Sequence, residues 1–154
     1  MTNLSDNVRQ STRQRWMSAL AKAPCQRLEE AVAELDPPPY ERLRAPETGL
    51  VMARARAGGT GQRFNLGEIT VTRCALRLPD GTVGHAYIAG RDHRKAELAA
   101  LLDALLQCPE HHDALLQALI EPLEQDAARA RQNASRKAAA TRVEFFTMTR
   151  EDAP

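Results

Sequence analysis

The run Asp36-Pro37-Pro38-Pro39 constrains this chain more than any other feature. Prolines lack the amide that continues a helix or a sheet ladder, and each pushes the residue before it toward extended backbone. The run therefore ends one kind of structure and separates it from the next. Before it, apolar residues recur at helical spacing. Trp16, Met17 and Leu20 share one face of a segment that begins near Val8, and Leu28, Ala31, Val32 and Leu35 form the stripe of a second. Pro24 fits the first turn of that second helix, where a missing N–H costs nothing. The two pieces read as a helical hairpin or a bent helix.

After Tyr40 the texture changes to strands. Glu41 to Ala45 reads as a short strand, with Pro46 marking an edge or a break. Leu50 to Ala57 reads as a strand that leads into Gly58-Gly59-Thr60-Gly61. Glu68 to Leu78, rich in Ile, Val and Thr, is the strongest strand. Pro79-Asp80-Gly81-Thr82 is a turn, which makes Val83 to Ala89 an antiparallel hairpin partner.

Gly90 ends the sheet, and Asp92 is placed to cap the next helix. There Leu98, Leu101, Leu102, Leu105 and Leu106 lie on one face, and Glu97, Asp103 and Gln107 on the other. Cys108-Pro109 punctuates this helix, and another covers Asp113 to Ile120. Pro122 restarts the chain into an Ala- and Arg-rich helix reaching about Ala140. Thr141 to Met148, with Val143 and Phe145 alternating, reads as a last strand. The pattern is α+β: a small antiparallel sheet of three to five strands packed with N-terminal and C-terminal helices. Its 154 residues suit a single domain, with flexible tails expected at about 1–7 and 151–154.

Charge narrows the function classes. Lys+Arg number 21 against 20 Asp+Glu, for a net charge of +1, which argues against a dedicated nucleic-acid binder. No apolar run approaches the roughly 18 residues of a membrane span, and the polar N-terminus lacks the apolar core of a signal peptide. The cytoplasm is then the expected compartment. Cys25, Cys74 and Cys108 are odd in number, scattered and without a Cys-x-x-Cys pair, so they read as reduced structural thiols, with no metal site.

Few residues carry chemistry. The Gly58-Gly59-Thr60-Gly61 stretch has two readings: a turn that needs glycine backbone angles, or a nest of N–H groups around an anion. It lacks the Gly-Lys-Ser/Thr of a phosphate loop and lies between strands. Arginine dominates the cations, since the lysines are only Lys22, Lys95 and Lys137. Arg54, Arg56, Arg63, Arg73, Arg77 and Arg91 gather around the sheet, either as a solvated surface or as forks for phosphate and carboxylate. On regular strands Met52, Arg54 and Arg56 share one face, while Arg73 and Arg77 interrupt a face of Ile69, Val71 and Ala75.

A half-exposed antiparallel strand alternates cleanly between apolar and polar, and these do not. One consistent explanation puts helices on one face and another protein over much of the other. Phe145 and Phe146 fall on opposite strand faces, so one of them seeks cover outside its own core. His111 and His112 are adjacent and diverge by about 100° on a helix, poor geometry for a shared metal. His85 reads as a packed or hydrogen-bonded strand histidine, not a ligand, and nothing brings Glu47 and Glu68 together as an acid–base pair. No complete catalytic set is present, which favours a partner subunit over a free-standing enzyme.

In order along the chain stand Arg15-Trp16-Met17, Glu47-Thr48-Gly49-Leu50-Val51, Gly58-Gly59-Thr60-Gly61 with Phe64-Asn65 and Gly67-Glu68, then Thr70 to Arg73, and Gly90-Arg91-Asp92 with Ala96-Glu97. Val143, Phe145-Phe146-Thr147-Met148 and Arg150 close the series. Together they resemble the family of the G subunit (PhnG) of the bacterial carbon–phosphorus lyase system. The match runs from about Arg13 to Arg150 and is poorest at Pro37 to Pro39 and after Arg150.

The resemblance implies use of organic phosphonates as a phosphorus source. It implies a core complex with H, I and J subunits, assisted by an L subunit, with no nucleic acid and no membrane. That complex attaches an alkylphosphonate to the ribose of ATP, displacing adenine and giving ribose 1-alkylphosphonate 5-triphosphate. The adenine-displacing chemistry is placed on the I subunit. The later radical step, with its iron–sulfur cluster and S-adenosylmethionine, belongs to the J subunit. ATP is a substrate of the complex, and no cofactor is implied for this chain.

The resemblance supplies no catalytic residue here. Gly58, Gly59, Thr60, Gly61, Arg63, Arg91, Phe145 and Phe146 are the candidates for interface or phosphate contact. The alternative is a small anion- or nucleotide-binding regulatory module acting without partners. A self-sufficient phosphotransferase or nucleosidase is a further rival, and no complete nucleotide motif supports it.

Overall fold

The computed structural model describes residues 4–57 and 60–140. Two helices, α1 (Leu4–Lys22) and α2 (Cys25–Leu35), lead the chain. Pro24 stands just outside α2 with extended backbone, one position before the first turn expected for it. Trp16, Leu20 and Leu28 are buried as the spacing requires. Asp36 closes α2 in the left-handed region, with φ 42°, a conformation that a short polar side chain tolerates.

The sheet is antiparallel, in the order β1 (Glu41–Arg56), β2 (Arg63–Arg77), β3 (Val83–Ala89). The two strands expected on either side of Pro46 are one. Irregular register at Arg42/Arg44 and again at Arg44/Glu47 absorbs the proline, which sits on an edge strand where a missing donor is tolerated. β2 starts at Arg63, ahead of the expected Glu68. β3 has its expected bounds.

Helix α3 (His93–Gln107) starts where expected, with Asp92 accepting the Lys95 N–H at 2.9 Å. Its expected polar face is overturned: every residue from Ala96 to Leu106 is buried, Glu97 and Asp103 included. The helix lies in the centre of the body, between the sheet on one side and α1 and α2 on others. It also lies very close to the sheet. A Cβ added at Gly84 on β3 would stand 2.0 Å from the Ala100 carbonyl oxygen and 2.8 Å from the Ala104 nitrogen. Small residues at this crossing explain how a chain with 4% aromatics fills its core with leucine and alanine.

The two buried carboxylates are fully engaged. Asp103 accepts from Arg13 Nη2 at 2.7 Å, Trp16 Nε1 at 2.8 Å and the His85 backbone N–H at 2.9 Å. Arg13 and Gln107 donate to the Val83 carbonyl at 3.2 and 3.0 Å, so side chains occupy backbone groups of β3 that β2 leaves open. Glu97 accepts from Tyr40 Oη and Arg42 Nε, both at 2.7 Å, and fastens the start of β1 to α3. Among the described residues no buried side-chain nitrogen or oxygen lacks a partner.

After Cys108, α4 (Pro109–Leu115) starts earlier than the expected Asp113. Pro122 does not restart the chain. A π-helical turn over Leu116–Ile120 carries α4 into α5 (Glu121–Ala140) without a break. The wider turn accommodates a proline that has no N–H for the carbonyl one turn earlier. From Ala128 onward α5 is exposed. The strand expected over Thr141 to Met148 lies outside the described residues.

Candidate docking arm

β1 and β2 are longer than everything packed against them. β3 pairs with β2 only from Val71 to Arg77. α3 begins at His93, whose Nε2 lies 2.9 Å from Thr48 Oγ1. Beyond that point the register continues from Leu50↔Thr70 to Arg56↔Arg63 as a two-stranded ribbon. Its length is about 20 Å at roughly 3.3 Å per residue. One extra residue, Leu66, is inserted in β2 between the pairs Ala53↔Gly67 and Arg54↔Asn65. Gly67 takes φ 152° at this bulge, which suits glycine.

Cross-strand partners share a face. On one side of the arm lie Val51, Ala53, Ala55, Phe64 and Ile69. On the other, Leu50 and Met52 near the body give way to Arg54, Arg56 and Arg63 towards the tip, so the expected common face of Met52, Arg54 and Arg56 holds. The large apolar side chains are uncovered: Leu50 is 62% exposed and Leu66 66%, with Met52, Phe64 and Ile69 near half.

The sequence candidates fall along this arm unevenly. Gly58 and Gly59 lie outside the described residues, as do Phe145 and Phe146. Thr60 is exposed at the tip. The Gly61 N–H donates to the Ala57 carbonyl at 3.1 Å, and a Cβ there would stand 2.4 Å from that oxygen, so this position requires glycine. Arg63 opens β2 beside the tip. Arg91 is exposed at the arm's base, one residue past Gly90, whose N–H donates to the Thr70 carbonyl. Arg63 and Arg91 thus stand at opposite ends of the arm and are not brought together.

The arginines divide by position. On the sheet of the body, Arg73 donates to Glu47 and Arg77 to Glu41, each at 2.7 Å and each across from its partner on β1. Glu47 also meets Arg44 at 3.1 Å. The Arg73 guanidinium is raised above its ordinary pKa by its hydrogen bonds to Glu47 and then Tyr87. These pairs answer the mixed face of β2: its interrupting arginines are neutralised within the sheet. Arg54, Arg56, Arg63 and Arg91 make no ion pair with any described residue.

Glu47 is committed to those arginines while Glu68 pairs with Met52 in the arm, so the two do not form an acid–base pair. Among the described residues no group of three or more His, Cys, Asp or Glu is placed to hold a metal ion. His112 instead places Nδ1 2.6 Å from the Leu106 carbonyl and meets the Trp16 ring edge-on at 5.6 Å. Sequence reading missed Leu50, Leu66 and Ile69 as an exposed set. The available signal was the failed alternation of the strands.

Fold and arm define a small α+β protein whose sheet projects as a β-ribbon from a helix-centred body. The chain belongs to the PhnG family: residues 11–151 match the family described as "Phosphonate metabolism protein PhnG". It is 46% identical over 151 residues, 95% of this chain and 94% of the relative, to the alpha-D-ribose 1-methylphosphonate 5-triphosphate synthase subunit PhnG of Rhizobium meliloti (strain 1021). No described helix is long and apolar enough to cross a membrane.

Proposed function

We propose that this chain is the G-type subunit of a cytoplasmic, multi-subunit alpha-D-ribose 1-methylphosphonate 5-triphosphate synthase. The observation that carries the reading is near-full-length similarity to a protein bearing that subunit name. The uncovered arm supports it, because large apolar side chains gathered on a projecting ribbon suit a contact with another protein. The family resemblance supplies the finer content: H, I and J subunits as partners, an L subunit assisting, and ATP and an alkylphosphonate as substrates. In that reaction a phosphonate oxygen bonds to C1′ of the ribose as the bond from C1′ to adenine breaks. Adenine leaves with the proton that balances it.

This chain's part is accessory. Its buried carboxylates are held in hydrogen bonds that build the body, and the arm carries arginines that make no ion pair with any described residue and suit contact with a neighbour. Arginines on a shared surface raise the local concentration of polyanionic substrates and intermediates.

The test is co-expression with the H, I and J subunits, followed by size-exclusion chromatography with mass measurement. Co-elution in one assembly is expected. Elution of this chain apart from all of them, with ATP turnover by the chain alone, would overturn the reading and favour a self-sufficient enzyme. Tight phosphonate or nucleotide binding by the lone chain without assembly would favour a regulatory module.

A further inference from the structure

We infer that the arm inserts into a groove on a partner protein that is apolar where it meets Leu50, Met52, Phe64 and Ile69 and acidic where it meets Arg54, Arg56 and Arg63. This rests on the reading of the chain as a complex subunit, and it specifies the chemistry of the contact.

The first support is a charge imbalance within one pair of strands. Near the body, β1 offers Glu41 and Glu47 opposite Arg77 and Arg73, and both pairs close at 2.7 Å. At the other end the register sets Arg56 directly opposite Arg63, with Arg54 on the same face. Like charges directly opposite on neighbouring strands destabilise the pairing. Glu68 shares this face, opposite Met52, yet makes no ion pair with the arginines. Among the described residues no ion pair neutralises them, and such a cluster is complementary to an acidic partner surface.

The second support is the apolar surface beside them. Leu50, Met52, Phe64, Leu66 and Ile69 are each about half exposed or more. A two-stranded ribbon is marginal in water unless something covers it. A small polyphosphate would answer the arginines and leave these side chains wet. Two strands also offer it no enclosing wall. A protein groove answers both observations, and the register fixes its layout: the wall facing Leu50 and Met52 is apolar and turns acidic towards Arg54, Arg56 and Arg63 at the tip, while the wall facing Ile69 and Phe64 is apolar along its length.

The test uses the full chain co-expressed with the H, I and J subunits. A photo-cross-linking amino acid is placed at Met52 or Phe64, and variants R54E/R56E/R63E and R54K/R56K/R63K are compared with wild type. Circular dichroism and melting of each purified chain check the fold. We expect cross-links to a partner segment containing Asp or Glu beside apolar residues. We expect the glutamate variant to retain at least about tenfold less partner, and the lysine variant to retain most of it at low salt.

Undiminished assembly of the glutamate variant, or cross-links only to a second copy of this chain, would overturn the inference while leaving the subunit reading intact. So would calorimetric binding of inorganic triphosphate to the wild-type chain that the glutamate variant loses with no change in assembly. Failure of wild type to join any subunit is a different result and removes the subunit reading itself.

Discussion

The indole N–H of Trp16 donates to Asp103 Oδ1 at 2.8 Å, tying the chain's single tryptophan to a carboxylate with no solvent exposure. Through Asp103 the same contact reaches Arg13 on α1 and the backbone of β3. Three elements therefore depend on one side chain. Asp103→Ala leaves a guanidinium, an indole N–H and a backbone N–H without their acceptor. Removing one partner of such a buried network costs about 3–5 kcal/mol. Urea unfolding followed by Trp16 fluorescence should show a loss of that size, and a loss under about 1 kcal/mol would contradict the assignment.

Gly84 and Gly49 offer a paired test of the packing. A methyl group at Gly84 collides with the backbone of α3, while one at Gly49 meets nothing within 4 Å. Gly84→Ala should destabilise by at least the roughly 1–3 kcal/mol of an overpacked core. Gly49→Ala should stay within about 0.5 kcal/mol of wild type. Thermal melts of the two variants read the difference directly, and equal melting temperatures would contradict the close crossing of β3 and α3.

The cysteines differ in environment. Burial pushes the Cys74 thiol up to about 11, and its Sγ lies 3.4 Å from the Arg44 carbonyl oxygen, which its S–H faces as donor. At pH 8 only about one Cys74 in a thousand is a thiolate in the folded protein. Alkylation followed by mass spectrometry should modify Cys25 and Cys108 before Cys74. The raised value also fixes a pH dependence. The folded state holds this proton more tightly than the unfolded chain does, so stability is highest below the unfolded thiol value near 9 and falls as pH rises towards 11. Cys74→Ala should flatten that alkaline limb.

On the acid side, Arg15 grips Glu124 between α1 and α5, with Nε to Oε1 at 2.6 Å, and holds its carboxyl below the ordinary range, mainly through that hydrogen bond. The pair's contribution is present above the unfolded carboxylate value and is lost as pH falls through the lower folded value. Solvent reaches both side chains, so the effect is at most about 1 kcal/mol. Glu124→Gln should reduce the acid sensitivity of the melting temperature at low salt and change little at neutral pH in high salt.

Much of the body was legible from spacing alone. Pro37 to Pro39 separated helices from sheet, Pro79 to Thr82 turned the hairpin, and Asp92 capped α3 as its residue type requires. The carboxylates on α3 were misread because amphipathic logic assigns Glu97 and Asp103 to water. Their partners, Arg13, Trp16, Tyr40 and Arg42, come from distant segments that only folding brings near. Of the two readings of Pro46, the edge holds and the break does not, because a bulged edge strand carries a proline without ending. Of the candidate site, the shared face of Met52, Arg54 and Arg56 followed from strand period. Its projection beyond the helices did not, because it depends on where β3 and α3 stop.

The subunit claim is met most directly by adenine release from ATP in the reconstituted complex supplied with methylphosphonate. Release that needs both methylphosphonate and this chain, with none from the chain alone, is the expected result. Undiminished release when this chain is omitted, or turnover by the isolated chain, would contradict it.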